Sequence, residues 1–85
     1  MTYEEVKKTL EEYGYTEEEL REGEHVFYKF GKTDFLYASN AVKFHVYLDG
    51  EELTKVTMLK YIQSYGYQHT DIKDIDKLED LKFYM

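Results

Sequence analysis

Few side chains in this chain are of a type that does chemistry. His25, His45 and His69 are its three imidazoles, and cysteine is absent. A zinc site needs three or four nitrogen, sulfur or carboxylate ligands brought together, and paired helical histidines announce one by their four-residue spacing. No two of these histidines are so spaced. A metal would require His25, His45 and an acid such as Asp71 to converge across the fold, with a meander expected to leave a strand between the two histidines. Without cysteine there is no thiol nucleophile, thiolate ligand or disulfide framework. Ser39 and Ser64 lie outside any G-x-S-x-G frame, which would lift a serine onto a strand–turn–helix elbow. Gly14, Gly23, Gly31, Gly50 and Gly66 are dispersed, one per turn or cap, so no glycine-rich loop cradles a phosphate. Aspartate and glutamate number 18, which makes any one acidic pair uninformative. A paired-carboxylate hydrolase also needs a cleft that a chain this short is poorly sized to build. The expectation is a protein that is not an enzyme and has no metal and no cofactor.

The elements that position these residues belong to one domain, residues 1–85. Hydrophobic residues make up 42% of the 85, charged residues 34% and aromatics 18%, with ten tyrosines and no proline or tryptophan. That hydrophobic fraction is too high for a disordered chain, although the net charge is −7. No apolar run is long enough to span a bilayer. The opening MTYEEVKKTLEE lacks the basic and apolar regions of a secretory signal, as a processed mature chain would too, and the cytoplasm is the default expectation.

Local patterns divide the chain. Thr2 and Glu5 form an S/T-x-x-E capping box, after which Tyr3, Val6, Leu10 and Tyr13 draw one apolar stripe. Gly14 follows as a left-handed helix terminator over which Tyr15 folds back. Thr16 and Glu19 repeat the capping box and predict a short second helix through Leu20, closing near Gly23. Val26, Tyr28 and Phe30 then alternate as a strand. Gly31 to Asp34 reads as a turn, Phe35 to Ser39 as a second strand, and Asn40-Ala41 as another turn. Val42, Phe44, Val46 and Leu48 alternate with Lys43, His45 and Tyr47 in a half-buried strand. Asp49-Gly50 suits a two-residue hairpin, followed by a very short returning strand, Glu51–Leu53. Thr54 caps a predicted helix carrying Val56, Leu59, Ile62 and Tyr65, which ends at Gly66 with the same Tyr-Gly-Tyr tripeptide as the first. Ile72, Ile75, Leu78 and Leu81 predict a terminal helix starting between Asp71 and Asp76.

These elements predict an α+β fold: a small two-layer domain with an antiparallel meander of three to four strands. It packs against N- and C-terminal helices in the order α-α-β-β-β-(β)-α-α. Charge is uneven along it. Residues 1–24 carry −6, residues 25–60 carry +1 and residues 61–85 carry −2. The ordinary reading of the acidic groups is a solvated helix surface, with some acids favouring helix N-termini.

The functional reading is an acidic helical face that docks onto a basic protein. Glu11, Glu12, Glu17, Glu18, Glu19 and Glu22 would supply the charge, and Tyr13 and Tyr15 the apolar anchors. Such a field steers a partner in, whereas nucleic acid itself would be repelled. A second reading uses the open sheet face. Lys43, His45 and Tyr47, joined by Lys29 and Phe27, would form a platform for a homodimer contact or for single-stranded nucleic acid. A third reading is an accessory domain of a larger assembly. In size, acidity, tyrosine content and lack of catalytic residues the chain resembles small proteins of phages and mobile elements. Anti-CRISPR proteins and DNA mimics among them block nucleic-acid-binding enzymes, and the resemblance implies an inhibitor of that kind.

Overall fold

The computed structural model describes residues 1–29, 38–64 and 67–85. The expected turn at Gly31–Asp34, the start of the strand at Phe35 and the helix end at Tyr65-Gly66 lie outside them. Two helices and five strands follow one another as α1 (Tyr3–Glu12), β1 (Thr16–Arg21), β2 (Glu24–Tyr28), β3 (Ala38–Asp49), β4 (Glu52–Ser64), β5 (Tyr67–Asp74) and α2 (Leu78–Tyr84). The strands form one antiparallel sheet in sequential order, β1-β2-β3-β4-β5.

Helix α1 is built from local signals alone. The Thr2 hydroxyl accepts from the Glu5 amide at 3.2 Å, and a Glu5 carboxylate oxygen accepts from the Thr2 amide at 3.0 Å. At its other end the Tyr15 N–H reaches Leu10 O and the Gly14 N–H reaches Glu11 O, both at 3.0 Å. These are the paired bonds of a Schellman motif, and they require the left-handed φ of +89° that Gly14 adopts. Tyr15 then turns inward and is 7% exposed.

Three expected helices behave differently. The predicted second helix is the edge strand β1, with Thr16 opposite Tyr28, Glu17 opposite Phe27 and Glu19 opposite His25. Glutamate-rich TEEEL favours helix locally, but here the backbone pairs with β2 and one carboxylate is drawn toward α1, so tertiary contacts override propensity. The predicted helix after Thr54 is β4, a thirteen-residue strand paired on both sides, with β3 and with β5. Val56, Leu59 and Ile62 suit a helical period, but the contacts follow period two: Val56 and Met58 join the core under the helices, while Thr57, also buried, faces the opposite way beside His45. The terminal helix starts at Leu78, because Asp71–Asp74 belong to β5. The turn expected at Asn40-Ala41 is interior to β3, where these residues sit opposite Ile62 and Tyr61. The β3–β4 hairpin does form, its two-residue loop being Gly50-Glu51 between the paired Asp49 and Glu52.

Both helices cover one face of the sheet. Val6 and Leu10 of α1 and Leu81 of α2 join Phe27, Phe44, Val46, Val56, Met58, Tyr15 and Ile75 in a single core. Phe27 and Phe44 face each other across β2 and β3 with no exposed surface. Phe27 therefore belongs to the helix side and not to the open face. The result is a two-layer α+β domain that shows, among the described residues, five strands in place of three or four, and two helices in place of four.

Among the described residues no second layer covers the other face. Directly opposite residues share a face, so the register defines its rows. One row is Glu18, Val26, His45, Thr57 and Asp74. The next is Thr16, Tyr28, Lys43, Leu59 and Ile72.

Candidate interaction surface

The predicted acidic residues gather at one rim of the sheet, but on three different elements. Glu11 and Glu12 occupy the last turn of α1, Glu17, Glu18 and Glu19 lie in β1, and Glu22 sits in the β1–β2 turn. They are not one helical face. Strand alternation sends Glu17 and Glu19 toward the helix side and Glu18 toward the open side. Glu11, Glu12, Glu18, Glu19 and Glu22 are exposed.

Glu17 is withdrawn from this surface into a polar cluster between α1 and the sheet. Lys7 Nζ donates to its Oε1 at 2.7 Å, and the Tyr3 hydroxyl donates to its Oε2. His25 Nδ1 lies 3.3 Å from the same Oε2 without the alignment of a hydrogen bond, and the His25 ring packs on Tyr3 with centroids 5.6 Å apart. Burial alone would raise the Glu17 pKa, but the hydrogen bonds from Lys7 and Tyr3 and the nearby charges of Lys7 and His25 outweigh it and hold the carboxyl below its usual range. The Tyr3 phenol moves up, chiefly through burial and then through the hydrogen bond to Glu17 and that residue's charge. Lys7 also moves up, first through its hydrogen bond to Glu17, with burial opposing. Glu17 thus ties β1 to α1, a structural role.

The two tyrosines expected as anchors part company. Tyr13, the α1 C-cap, is 53% exposed and remains available to a partner. Tyr15 is a core residue, meeting Phe44 edge-on at 5.5 Å, and burial raises its pKa. Lys29 lies over the Tyr15 ring at 5.9 Å, so it faces away from the platform to which its sequence position assigns it. The other three members of that platform do share the open face. Lys43 stands opposite Tyr28, His45 opposite Val26 and Tyr47 opposite Glu24. His45 Nδ1 is 3.3 Å from Glu24 Oε2, its ring stacks beside Tyr47 at 6.5 Å, and Arg21 Nε forms an ion pair with Glu24 Oε1 at 3.0 Å.

His25 and His45 stand on neighbouring strands, not separated by another, yet on opposite faces, so they do not converge. Among the described residues no three histidine or acidic side chains gather as metal ligands, and no helix is long and apolar enough to cross a membrane. The residues sequence reasoning missed are Tyr3, Lys7 and Glu24. The Tyr3 and Lys7 spacing on α1 was visible, but their acceptor is fixed only by the pairing of β1 with β2. The chain has no match among models of protein families, curated proteins or solved structures.

Proposed function

We propose that this chain is a non-enzymatic interaction domain that docks an acidic pole onto a basic protein partner, as an inhibitor that imitates nucleic acid would. The observation that carries the reading is the concentration of charge: −6 of the net −7 falls in residues 1–24. Five of the glutamates are exposed around the rim formed by α1, β1 and the β1–β2 turn. Lys7 is paired to Glu17 and Arg21 to Glu24, so two of the three basic residues in this segment are engaged by acids. A rim of one sign attracts a lysine- and arginine-lined groove over a distance set by salt. Tyr13 adds an exposed aromatic beside that charge.

The test reverses Glu11, Glu12, Glu18 and Glu22 to lysine together, leaving the structural Glu17 in place. A tagged chain is used to capture proteins from its native host, and affinity for the captured protein is titrated against salt. The expected result is a basic protein retained by the wild type, released steeply as salt rises, and lost by the variant. Equal retention by both chains at all salt concentrations would refute the reading.

A further inference from the structure

The opposite rim of the sheet has a different character. The last strand, β5, pairs with β4 on one side and carries no strand on its other side among the described residues. Its backbone orientation can be read from one bond. The Ile75 N–H donates to Val56 O at 2.8 Å, which makes 75 and 56 a hydrogen-bonded pair. Antiparallel ladders alternate hydrogen-bonded with non-hydrogen-bonded pairs. Lys73 and Asp71 therefore bond toward β4, while the N–H and C=O groups of Thr70, Ile72 and Asp74 point outward from the edge.

The side chains along this edge are self-complementary. Ile72 is 67% exposed and is flanked by Asp71 and Lys73, both also exposed. Close by, Phe83 of α2 is 80% exposed. These two are the most exposed large apolar side chains among the described residues, and both line one open groove of about 620 Å³ together with Lys60, Asp71, Lys73 and Tyr84. Lys73 is held there over the Tyr84 ring at 5.2 Å.

We infer that β5 is a homodimer edge, at which two copies join antiparallel about a two-fold axis through Ile72 into one ten-stranded sheet. In that register Ile72 meets the second copy's Ile72, and each Asp71 meets the second copy's Lys73. Thr70 stands opposite the second copy's Asp74. The three outward-facing residues of each strand then exchange about six backbone hydrogen bonds. On the open face Leu59 and Ile72, already cross-strand neighbours, continue into the same pair of the second copy as one apolar row. On the helix side each Asp71–Lys73 contact pairs opposite charges, and the contact is isologous, as a closed dimer requires. Because β1 lies at the far side of the sheet, the acidic pole stays uncovered, and the contact is independent of what that pole binds.

The experiment is sedimentation equilibrium of the full chain up to millimolar concentration, with backbone hydrogen exchange read at the same concentrations. The wild type is expected to dimerise, with exchange at Thr70, Ile72 and Asp74 slowing as the dimer forms. Asp71→Lys alone and Lys73→Asp alone each place like charges opposite one another twice, and each should weaken the dimer by roughly ten-fold or more. Both changes in one chain should restore it, and so should mixing the two single variants, because the mixed pair again opposes unlike charges. Ile72→Lys should give a monomer. All these positions are exposed, and circular dichroism verifies that each variant is folded. A wild type that stays monomeric at millimolar concentration overturns the inference. So does a dimer indifferent to Ile72→Lys and the single reversals, or single reversals that neither the double variant nor the mixture repairs.

Discussion

Replacing Glu17 by glutamine tests the tie between α1 and β1 most directly. The substitution keeps the shape of the side chain and removes the charge that Lys7 Nζ meets at 2.7 Å and that the Tyr3 hydroxyl also contacts. A hydrogen bond to a charged group contributes about 1.5–3 kcal/mol when shielded, but the Lys7 side chain is 38% exposed, and screening by water brings its share down to about 1 kcal/mol. The Tyr3 bond, on the less exposed side, adds about 1 kcal/mol. Together the loss is about 2 kcal/mol, which in a domain of this size lowers Tm by about 8–16 °C. Urea denaturation of the wild type, Glu17→Gln, Lys7→Met and the double variant measures it, and the double-mutant cycle should return a coupling of about 1 kcal/mol. The pH dependence has a fixed sign. The folded Glu17 pKa lies below its ordinary 4.5, so its contribution is complete above that value and is lost as the pH falls through the lower folded one. The gap between wild type and Glu17→Gln should therefore be full at neutral pH and close in acid. A gap that is the same at neutral pH and well below the carboxylate range, or a coupling near zero, would refute the reasoning.

Three further outcomes follow from the packing. Phe44→Ala, at a side chain with no exposed surface between Phe27 and Met58, should destabilise by about 3–5 kcal/mol in urea. Gly23→Ala should lose about 2 kcal/mol or more by thermal melting, because φ is +81° there and a new Cβ would sit 2.8 Å from the Leu48 carbonyl oxygen. Thr2→Ala removes one half of the capping box and should lower stability by about 1 kcal/mol, with faster amide exchange at Glu5.

The parts of the fold that were legible in the sequence are those whose determinants lie within one turn of chain. Helix α1 is the clearest case: cap, left-handed glycine and inward-folding Tyr15 are all local and present as expected, and of the apolar stripe Val6 and Leu10 are buried while Tyr13 at its end is exposed. The central run from Val42 to Leu48 was legible for the same reason, since its alternation admits one period. β4 was not. Val56, Leu59 and Ile62 satisfy a helical spacing, and only the presence of β3 and β5 on either side turns the segment into a strand. β1 was the hardest, because nothing in Thr16–Leu20 signals a strand until β2 offers its backbone and α1 offers Tyr3 and Lys7. The same gap misplaced the site: a row of glutamates read as one helical surface is divided by strand alternation, and Glu17 is spent on the interior. The placement of Lys43, His45 and Tyr47 on one face was recovered, as period two demands, whereas Lys29, just past the end of β2, turned toward Tyr15.

The unlike rims of the sheet also bear on how far self-assembly can proceed. Joining β1 of one molecule to β5 of the next would be a head-to-tail union, repeatable without limit, and would draw the chain into fibres. Glu18 and Glu19 lie exposed along β1, and Asp71 and Asp74 lie exposed along β5, so the union brings acid toward acid. With the β5 edge joining only to its own image, as inferred above, growth of the sheet would stop at two.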